Sequence, residues 1–89
     1  MMVKRGKLEI MRDILQIVQE QKNIKVTPLL RKSNLFSARF KEYYDELTLR
    51  QLVKEEFHNQ DKYITLTDKG FRFLEKYKAI IDFIDEFEL

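Results

Sequence analysis

The sequence TPLLRKSNLFSARFKEYYDEL, residues 27–47, predicts two short helices joined by a tight turn. Thr27 and Pro28 are typical of a helix start. A threonine hydroxyl can accept a hydrogen bond from a free N–H group of the first turn. Proline has no N–H group, and the N–H groups of the first turn have no partner within the helix. Asn34 favours the end of this helix, since asparagine tolerates the left-handed conformation in which many helices stop. The second helix is predicted to start near Ser37 and to run to about Gln51.

The second of these helices has an apolar stripe and a polar face. The stripe recurs at helical spacing and consists of Phe40, Tyr43, Tyr44 and Leu47. The other side carries Ala38, Arg39, Lys41, Glu42 and Asp45. A helix anchored on one side, with short and basic residues on the other, suits the major groove of DNA. Ordinary surface helices have the same pattern, so the flanking elements must decide between the two interpretations.

The flanking sequence predicts a helix before this unit and a hairpin after it. Residues 4–22 carry an apolar stripe at helical spacing, formed by Leu8, Met11, Ile14, Leu15 and Val18. Residues 24–26 are rich in β-branched side chains and predict a very short edge strand. Residues 52–57 and 62–67 predict a β-hairpin around a polar four-residue tip, 58–61.

A long helix is predicted over residues 69–87, capped by Thr67 or Asp68. Gly70 near its start costs up to about 1 kcal/mol relative to alanine, so we expect close backbone packing or a ligand there. One apolar stripe, assigned to the core of the domain, contains Phe71, Leu74 and Ile81. A second stripe has heptad spacing and contains Phe73, Tyr77, Ile80, Ile84 and Phe87.

The length of this last helix predicts a homodimer. At 1.5 Å per residue it extends roughly 27 Å, and so small a domain can cover only its first half. Each apolar side chain left in water forgoes about 1.5–3 kcal/mol of burial. A second copy of the chain would cover the heptad stripe. The alternative is that the helix folds back onto Ile10 and Ile17 of the first helix.

Composition limits the classes of protein that are possible. The 89 residues fit one domain, and the absence of cysteine excludes disulfides and thiolate metal sites. Neither a membrane-spanning segment nor a signal sequence is evident, so we expect a cytoplasmic protein. Residues 1–54 hold 12 basic and 6 acidic side chains, a net charge of +6, whereas residues 55–89 hold 5 and 9, a net charge of −4. This asymmetry indicates one surface for an anionic partner.

Three groups of residues resemble the small archaeal winged helix-turn-helix DNA-binding proteins, including the 10a-type family. They are Lys4-Arg5-x-Lys7-Leu8-Glu9-Ile10, then Asn34-Leu35 with Phe40-Lys41-x-Tyr43 and Leu47, then Leu66-Thr67-x-Lys69-Gly70-x-x-Phe73-Leu74-x-x-Tyr77. The resemblance implies an α+β, mostly α fold, nucleoid-associated DNA binding, and dimerisation through antiparallel C-terminal helices, without a cofactor. Residues 1–67 would form the DNA-binding domain, and residues 68–89 the helix that packs on the core and dimerises.

Site residues follow from the placement of these elements. The base-reading candidates are Ser37, Ala38, Arg39 and Glu42. Arg39 is favoured because a guanidinium can bond guanine through two hydrogen bonds. The phosphate-binding candidates are Lys4, Arg5, Lys7, Lys25, Thr27, Arg31, Lys32 and Lys41. The wing candidates are His58, Asn59, Gln60 and Lys62.

Two other classes of function, catalysis and protein interaction, compete with DNA binding. Catalysis is not expected, because the single histidine lies at a predicted loop tip and the two glycines, Gly6 and Gly70, form no phosphate-binding loop. No metal and no small-molecule ligand are expected. A winged helix can also serve as a protein-interaction adaptor, which the modest net charge of +2 and the acidic tail favour. Double-stranded DNA remains the preferred partner.

Overall fold

A computed structural model describes residues 6–89 of the protein. The elements in this range are α1 (Lys7–Gln21), α2 (Val26–Ser33), α3 (Ser37–Leu49), β1 (Val53–His58), β2 (Asp61–Leu66) and α4 (Asp68–Glu86). The order of three helices, a hairpin and a long helix confirms the predicted winged helix-turn-helix architecture, mostly α with a small antiparallel sheet.

The core lies where α1 crosses the helix pair and the hairpin. Its buried side chains are Ile10, Met11, Ile14, Leu15, Val18, Ile24, Leu29, Phe40, Leu47, Leu52, Val53, Ile64 and Leu66. Tyr43 and Tyr44 are only half-buried and pack against this cluster. Leu8 was wrongly placed in the buried stripe: it is 57% exposed. It lies in the first turn of α1, beside a groove that remains open to solvent.

The helix pair is as predicted at its turn and differs at its ends. Asn34 adopts the left-handed conformation, with φ 59° and ψ 36°, and ends α2 as expected. The cap assignment of Thr27 was wrong, because α2 begins at Val26 with Lys25 as its N-cap. Pro28 still lies in the first turn of α2. N–H groups of the first turn make no hydrogen bond within the helix, so the absence of an N–H in proline breaks none. The first intrahelical bond runs from the Leu29 N–H to the Lys25 carbonyl, at 3.1 Å.

The predicted edge strand is reduced to a single bridge. Ile24 exchanges two backbone hydrogen bonds with Ile64, at 3.1 and 2.8 Å, and the chain then enters α2 at Val26. The predicted end of α3 at Gln51 was two residues too late. α3 ends at Leu49, and Gln51 has a φ of 61°, which no α-helix can continue through.

The hairpin pairs β1 with β2 in antiparallel register, from Val53 opposite Leu66 to His58 opposite Asp61. Asn59 and Gln60 alone form the turn, with φ values of 53° and 76°. Positive φ at both central residues is the type I′ geometry, whose twist matches that of the strands. The predicted four-residue tip was therefore too long by two residues.

Thr67 and Gly70 join the base of the hairpin to α4. The Thr67 hydroxyl accepts a hydrogen bond from the Gly70 N–H at 3.0 Å and donates one to the Gln51 carbonyl at 2.6 Å. A Cβ at Gly70 would overlap the carbonyl oxygen of Leu52. The close backbone packing expected at Gly70 is confirmed, and Thr67 is the cap of α4.

The side chains of α4 that pack against the core are only partly the ones that were predicted. Phe71 and Ile81 were assigned to the core but are 43% and 37% exposed, whereas Leu74 of the same stripe does pack against it. Phe73 also packs partly against the core, and its ring stacks on Tyr77 at a centroid distance of 6.5 Å. Because α1 covers only the first half of α4, the second half leaves its apolar side chains largely in solvent, namely Ile80, Ile81, Phe83 and Phe87. The alternative of a fold-back onto α1 does not occur within this chain.

Candidate nucleic-acid interface

Residues 22–41 form the most basic part of the chain and are called the basic segment below. It comprises the loop between α1 and α2, all of α2, the turn, and the first part of α3. Its six charged side chains are all cationic: Lys22, Lys25, Arg31, Lys32, Arg39 and Lys41. Acidic residues are absent from this stretch. The basic segment therefore carries a local net charge of +6 on a chain whose total is +2, and the acidic residues of α3 follow it at Glu42, Asp45 and Glu46.

The outer face of α3 presents the predicted reading residues to solvent. Ser37, Ala38, Arg39 and Glu42 are all exposed. At about 100° per residue, Ala38 and Glu42 point away from the buried Phe40, and Arg39 and Lys41 lie at the two flanks of the exposed face. The first turn of α3 contains no acidic side chain. The N-terminal end of α3 thus offers short side chains bordered by two cations.

The two flanking cations differ in how firmly they are held. The Arg39 guanidinium lies over the ring of Tyr43, 5.6 Å from its centroid, and within residues 6–89 it forms no ion pair. Lys41 pairs with Asp45 at 2.7 Å, across one helical turn. Such an exposed pair is worth only about 0.3–0.5 kcal/mol, so a phosphate can displace Asp45 at small cost.

The two ends of α2 carry the remaining cations of the predicted site. Arg31 and Lys32 lie exposed in the last turn, and neither has a carboxylate partner in the described part of the chain. At the other end, Lys25 lies 3.5 Å from Asp61 and 5.7 Å from the ring centroid of Tyr63, both on β2. Thr27, in the first turn, is exposed. Lys25 therefore connects the basic segment to the wing.

The wing, defined here as residues 58–61 at the end of the hairpin, has a net charge of −1, from Asp61. Asn59 and Gln60 project at its tip, and the His58 ring packs edge-on against Tyr63 at 5.6 Å. Lys62, placed at the wing by the sequence, lies 3.3 Å from Glu55. Polar tip residues without excess charge can contact a backbone or a minor groove but contribute little electrostatic attraction.

A hydrogen bond that the sequence analysis did not find connects α3 to the hairpin. The Tyr44 hydroxyl donates to the Glu55 carboxylate at 2.6 Å, and Lys62 approaches the same oxygen. Burial, and then the bond to Glu55, raise the pKa of Tyr44, while the bond from Tyr44 lowers the pKa of Glu55. At neutral pH the phenol is therefore neutral and the carboxylate charged, and the bond fixes the hairpin against α3.

Lys7, one of the predicted phosphate ligands near the N-terminus, is not brought to this site. Lys7 lies 2.9 Å from Glu46, close to the C-terminal end of α3. Hydrogen bonds from Lys7 and Arg50 lower the pKa of Glu46, so this carboxylate is charged and holds Lys7 there. Lys4 and Arg5 lie outside the described residues, and their predicted contacts stay predictions.

An apolar groove runs along α4 on the side of the predicted heptad stripe. Leu8, Leu52, Phe73, Tyr77 and Ile80 line it, and Lys69, Arg72 and Lys76 form its rim. Ile84, further along the stripe, is half-buried, and Phe87 at the end of α4 is exposed.

Residues 6–89 contain neither a metal-binding cluster nor a membrane-spanning helix. No group of three or more histidine, aspartate or glutamate side chains within residues 6–89 is placed to hold a metal ion. None of the helices in this range is long and apolar enough to cross a membrane.

Comparison with known proteins supports the fold. The family model described as winged helix-turn-helix matches residues 4–85. Among solved structures, Sso10a-2, a DNA-binding protein from Sulfolobus solfataricus, is 21% identical with a TM-score of 0.75, and the match covers 94% of this chain and 86% of that one. The resemblance to small archaeal winged-helix proteins is confirmed by this match. No curated protein sequence matches the chain.

Two other similar structures come from different sources. F-93 of SSV1 is 23% identical with a TM-score of 0.68, and the match covers 88% of this chain and 91% of that one. The PcaV transcriptional regulator from Streptomyces coelicolor is 18% identical with a TM-score of 0.75, and the match covers 86% of this chain but 59% of that one. At these identities the likeness concerns the fold.

Proposed function

Because this chain belongs to the winged helix-turn-helix family, we propose that it binds double-stranded DNA and regulates transcription. The observation that carries the proposal is the basic segment, residues 22–41, which holds six cations and no acidic residue. Sso10a-2 is described as a DNA-binding protein and PcaV as a transcriptional regulator. These descriptions of structural relatives agree with the proposal.

The exposed face of α3 would enter the major groove, N-terminal end first. Arg39 would bond guanine, and its stacking on Tyr43 already restricts the guanidinium. Ser37, Ala38 and Glu42 would contact the neighbouring base edges, with the Glu42 carboxylate able to accept from a cytosine amino group. The proposed phosphate ligands are Lys25, Thr27, Arg31, Lys32 and Lys41, and the tip of the wing would lie along the backbone.

We propose further that two copies pair through α4, residues 68–89, leaving residues 1–67 as the DNA-binding domain. Support comes from the apolar groove and from the exposed side chains beyond it. Charge supports an antiparallel pairing. Residues 68–78 hold four cations and two anions, a net charge of +2, whereas residues 79–89 hold four anions and no cation. An antiparallel pair would set each acidic end against the basic end of its partner, and a near-palindromic target would follow.

DNA binding is tested by the salt dependence of equilibrium affinity for a random-sequence duplex. Each lost phosphate contact reduces the slope of log affinity against log salt by about 0.9. The double variant Arg31→Ala/Lys32→Ala should therefore lower the slope by about 2. Lys54→Ala/Lys78→Ala removes the same charge outside the basic segment and should leave the slope unchanged. Equal slopes for the two double variants would contradict the placement of the interface.

Self-association is tested by sedimentation equilibrium at micromolar concentration. Ile80→Asp places a charge in the apolar groove and should convert the dimer to a monomer. Ala79→Asp adds the same charge on an exposed neighbouring position of α4 and should leave the dimer intact. A wild-type protein that sediments as a monomer would refute the dimer.

A second candidate function is that of a protein-interaction adaptor. The acidic side chains Glu55, Glu56 and Asp61 on the hairpin favour it, because they weaken attraction of the wing to phosphates. A gel shift with random duplex at low salt separates the two functions. Absence of retardation, together with recovery of a specific protein partner, would replace the DNA-binding proposal with the adaptor.

A further inference from the structure

Phe36 is the most exposed large apolar side chain in the described part of the chain, at 87%. Singly exposed apolar residues are common on protein surfaces, but a phenylalanine this exposed gives up nearly all the stabilisation that burial of its ring would provide. The exposed apolar residues of α4 are accounted for by the proposed pairing of two copies. Phe36 lies on the helix-turn-helix unit instead, immediately before Ser37.

The backbone of Phe36 is held on both sides. Leu35, before it, packs against the core. On the other side, the Phe36 carbonyl accepts the first hydrogen bond of α3, from the Phe40 N–H at 2.8 Å. Phe36 is thus the N-cap residue of α3, with φ −67° and ψ 151°. Because the backbone is already ordered, contact with a partner would cost only the freedom of the ring.

Phe36 lies at the N-terminal end of α3, just outside its first turn, and its ring is almost fully exposed there. In the proposed complex this end of the helix enters the major groove first. The apolar group that bases present in that groove is the C5 methyl of thymine, and phenylalanine is one of the side chains suited to contact it.

We infer that Phe36 reads thymine by packing its ring against the C5 methyl group in the major groove. The inference deepens the proposed DNA binding and rests on it. Its role differs from that of Arg39, whose donors would recognise guanine. The cations of the basic segment on either side of Phe36 favour DNA over an apolar protein pocket as the surface that covers the ring.

Two alternating polymers that differ only in this methyl group provide the test: poly(dA-dT) and poly(dA-dU), both as duplexes. Affinities are measured at the same moderate salt concentration. Burial of one methyl group corresponds to about a fourfold difference in affinity, so wild-type protein should prefer the thymine polymer by about fourfold for each reading helix engaged. Phe36→Ala should bind the two polymers equally, with an unchanged salt slope because no charge is removed.

The matched control is Leu49→Ala. Leu49 is similarly exposed, at 82%, but lies at the opposite end of α3, so its variant should keep the wild-type preference. Both substitutions remove surface side chains and should leave the thermal midpoint unchanged, which a melting curve checks. Equal binding of wild-type protein to the two polymers, or a preference that survives in Phe36→Ala, would overturn the role of Phe36 alone. Absence of salt-dependent binding to either polymer would overturn the proposed function as well.

Discussion

Substitution of Gly70 by alanine should destabilise the protein, although helix propensity alone predicts the opposite. In an exposed helix interior, alanine is about 1 kcal/mol more favourable than glycine. At Gly70, however, the added Cβ would overlap the Leu52 carbonyl oxygen and would lie 3.1 Å from a methyl carbon of Leu66. The nearest atom belongs to the backbone, so it cannot move aside as a flexible side chain would.

The magnitude follows from what the Leu52 carbonyl does. It accepts the Thr67 N–H at 3.2 Å, at the junction of the hairpin with α4. Displacing it strains the start of β1 and the cap of α4 together, and overpacking of this kind costs about 1–3 kcal/mol. After the propensity gain of about 1 kcal/mol is subtracted, a net loss of up to about 2 kcal/mol remains. For a domain of this size, a loss of about 2 kcal/mol corresponds to a drop of about 8–16 °C in thermal midpoint.

Urea denaturation followed by circular dichroism measures this loss at equilibrium. Ala79→Gly is the control, because Ala79 lies exposed in the same helix and its variant isolates the propensity term. There alanine should be the more stable residue, by about 1 kcal/mol. The reasoning is refuted when Gly70→Ala is at least as stable as the wild-type protein.

Two further predictions concern the hairpin. Gln60→Gly should raise the free energy of unfolding by about 1 kcal/mol, because Gln60 has a φ of 76° in a type I′ turn that favours Asn-Gly; an unchanged or lower urea midpoint would contradict this. Tyr44→Phe should cost about 0.5–1.5 kcal/mol at pH 7, since it removes the bond to Glu55. The pKa of Glu55 is lowered in the folded protein. The stabilisation is therefore fully present above about pH 4.3, the ordinary pKa of a glutamate. It is lost as the pH falls through the lowered pKa of Glu55 in the folded protein. Urea titrations from pH 7 to pH 3 should therefore show the two proteins converging, and a constant difference would count against the bond.

Local patterns were sufficient for most of the fold. Asn34 was correctly identified as the end of α2 from its tolerance of left-handed backbone, a property of the residue itself. The start of α2 was misplaced, because the bridge between Ile24 and Ile64 fixes the chain just before the helix, and that contact joins residues far apart in sequence. The stripes of α4 were misassigned for a similar reason. Both are apolar, and only tertiary packing decides that Phe73 lies partly against the core while Phe71 remains exposed.

The candidate site was less predictable than the fold. The exposure of Arg39 follows from helical periodicity alone, and the structure agrees. The pairing of Lys41 with Asp45 has the i,i+4 spacing typical of helical ion pairs, although it was not predicted. In contrast, the contact of Lys7 with Glu46 joins α1 to α3 and carries no local signal. A basic residue is easily found in a sequence, but whether its charge remains available depends on tertiary neighbours.

The most direct test of the proposed interface is a titration of ¹⁵N-labelled protein with a short DNA duplex. The measured quantity is the change in chemical shift of each backbone amide. The largest shift changes should fall within residues 25–42, with a smaller group at Asn59 and Gln60 in the wing. Amides in the middle of α1 should change little, because its side chains there are buried in the core. Changes concentrated along α4 or α1, with residues 25–42 unaffected, would contradict the central claim that the helix pair is the surface that binds DNA.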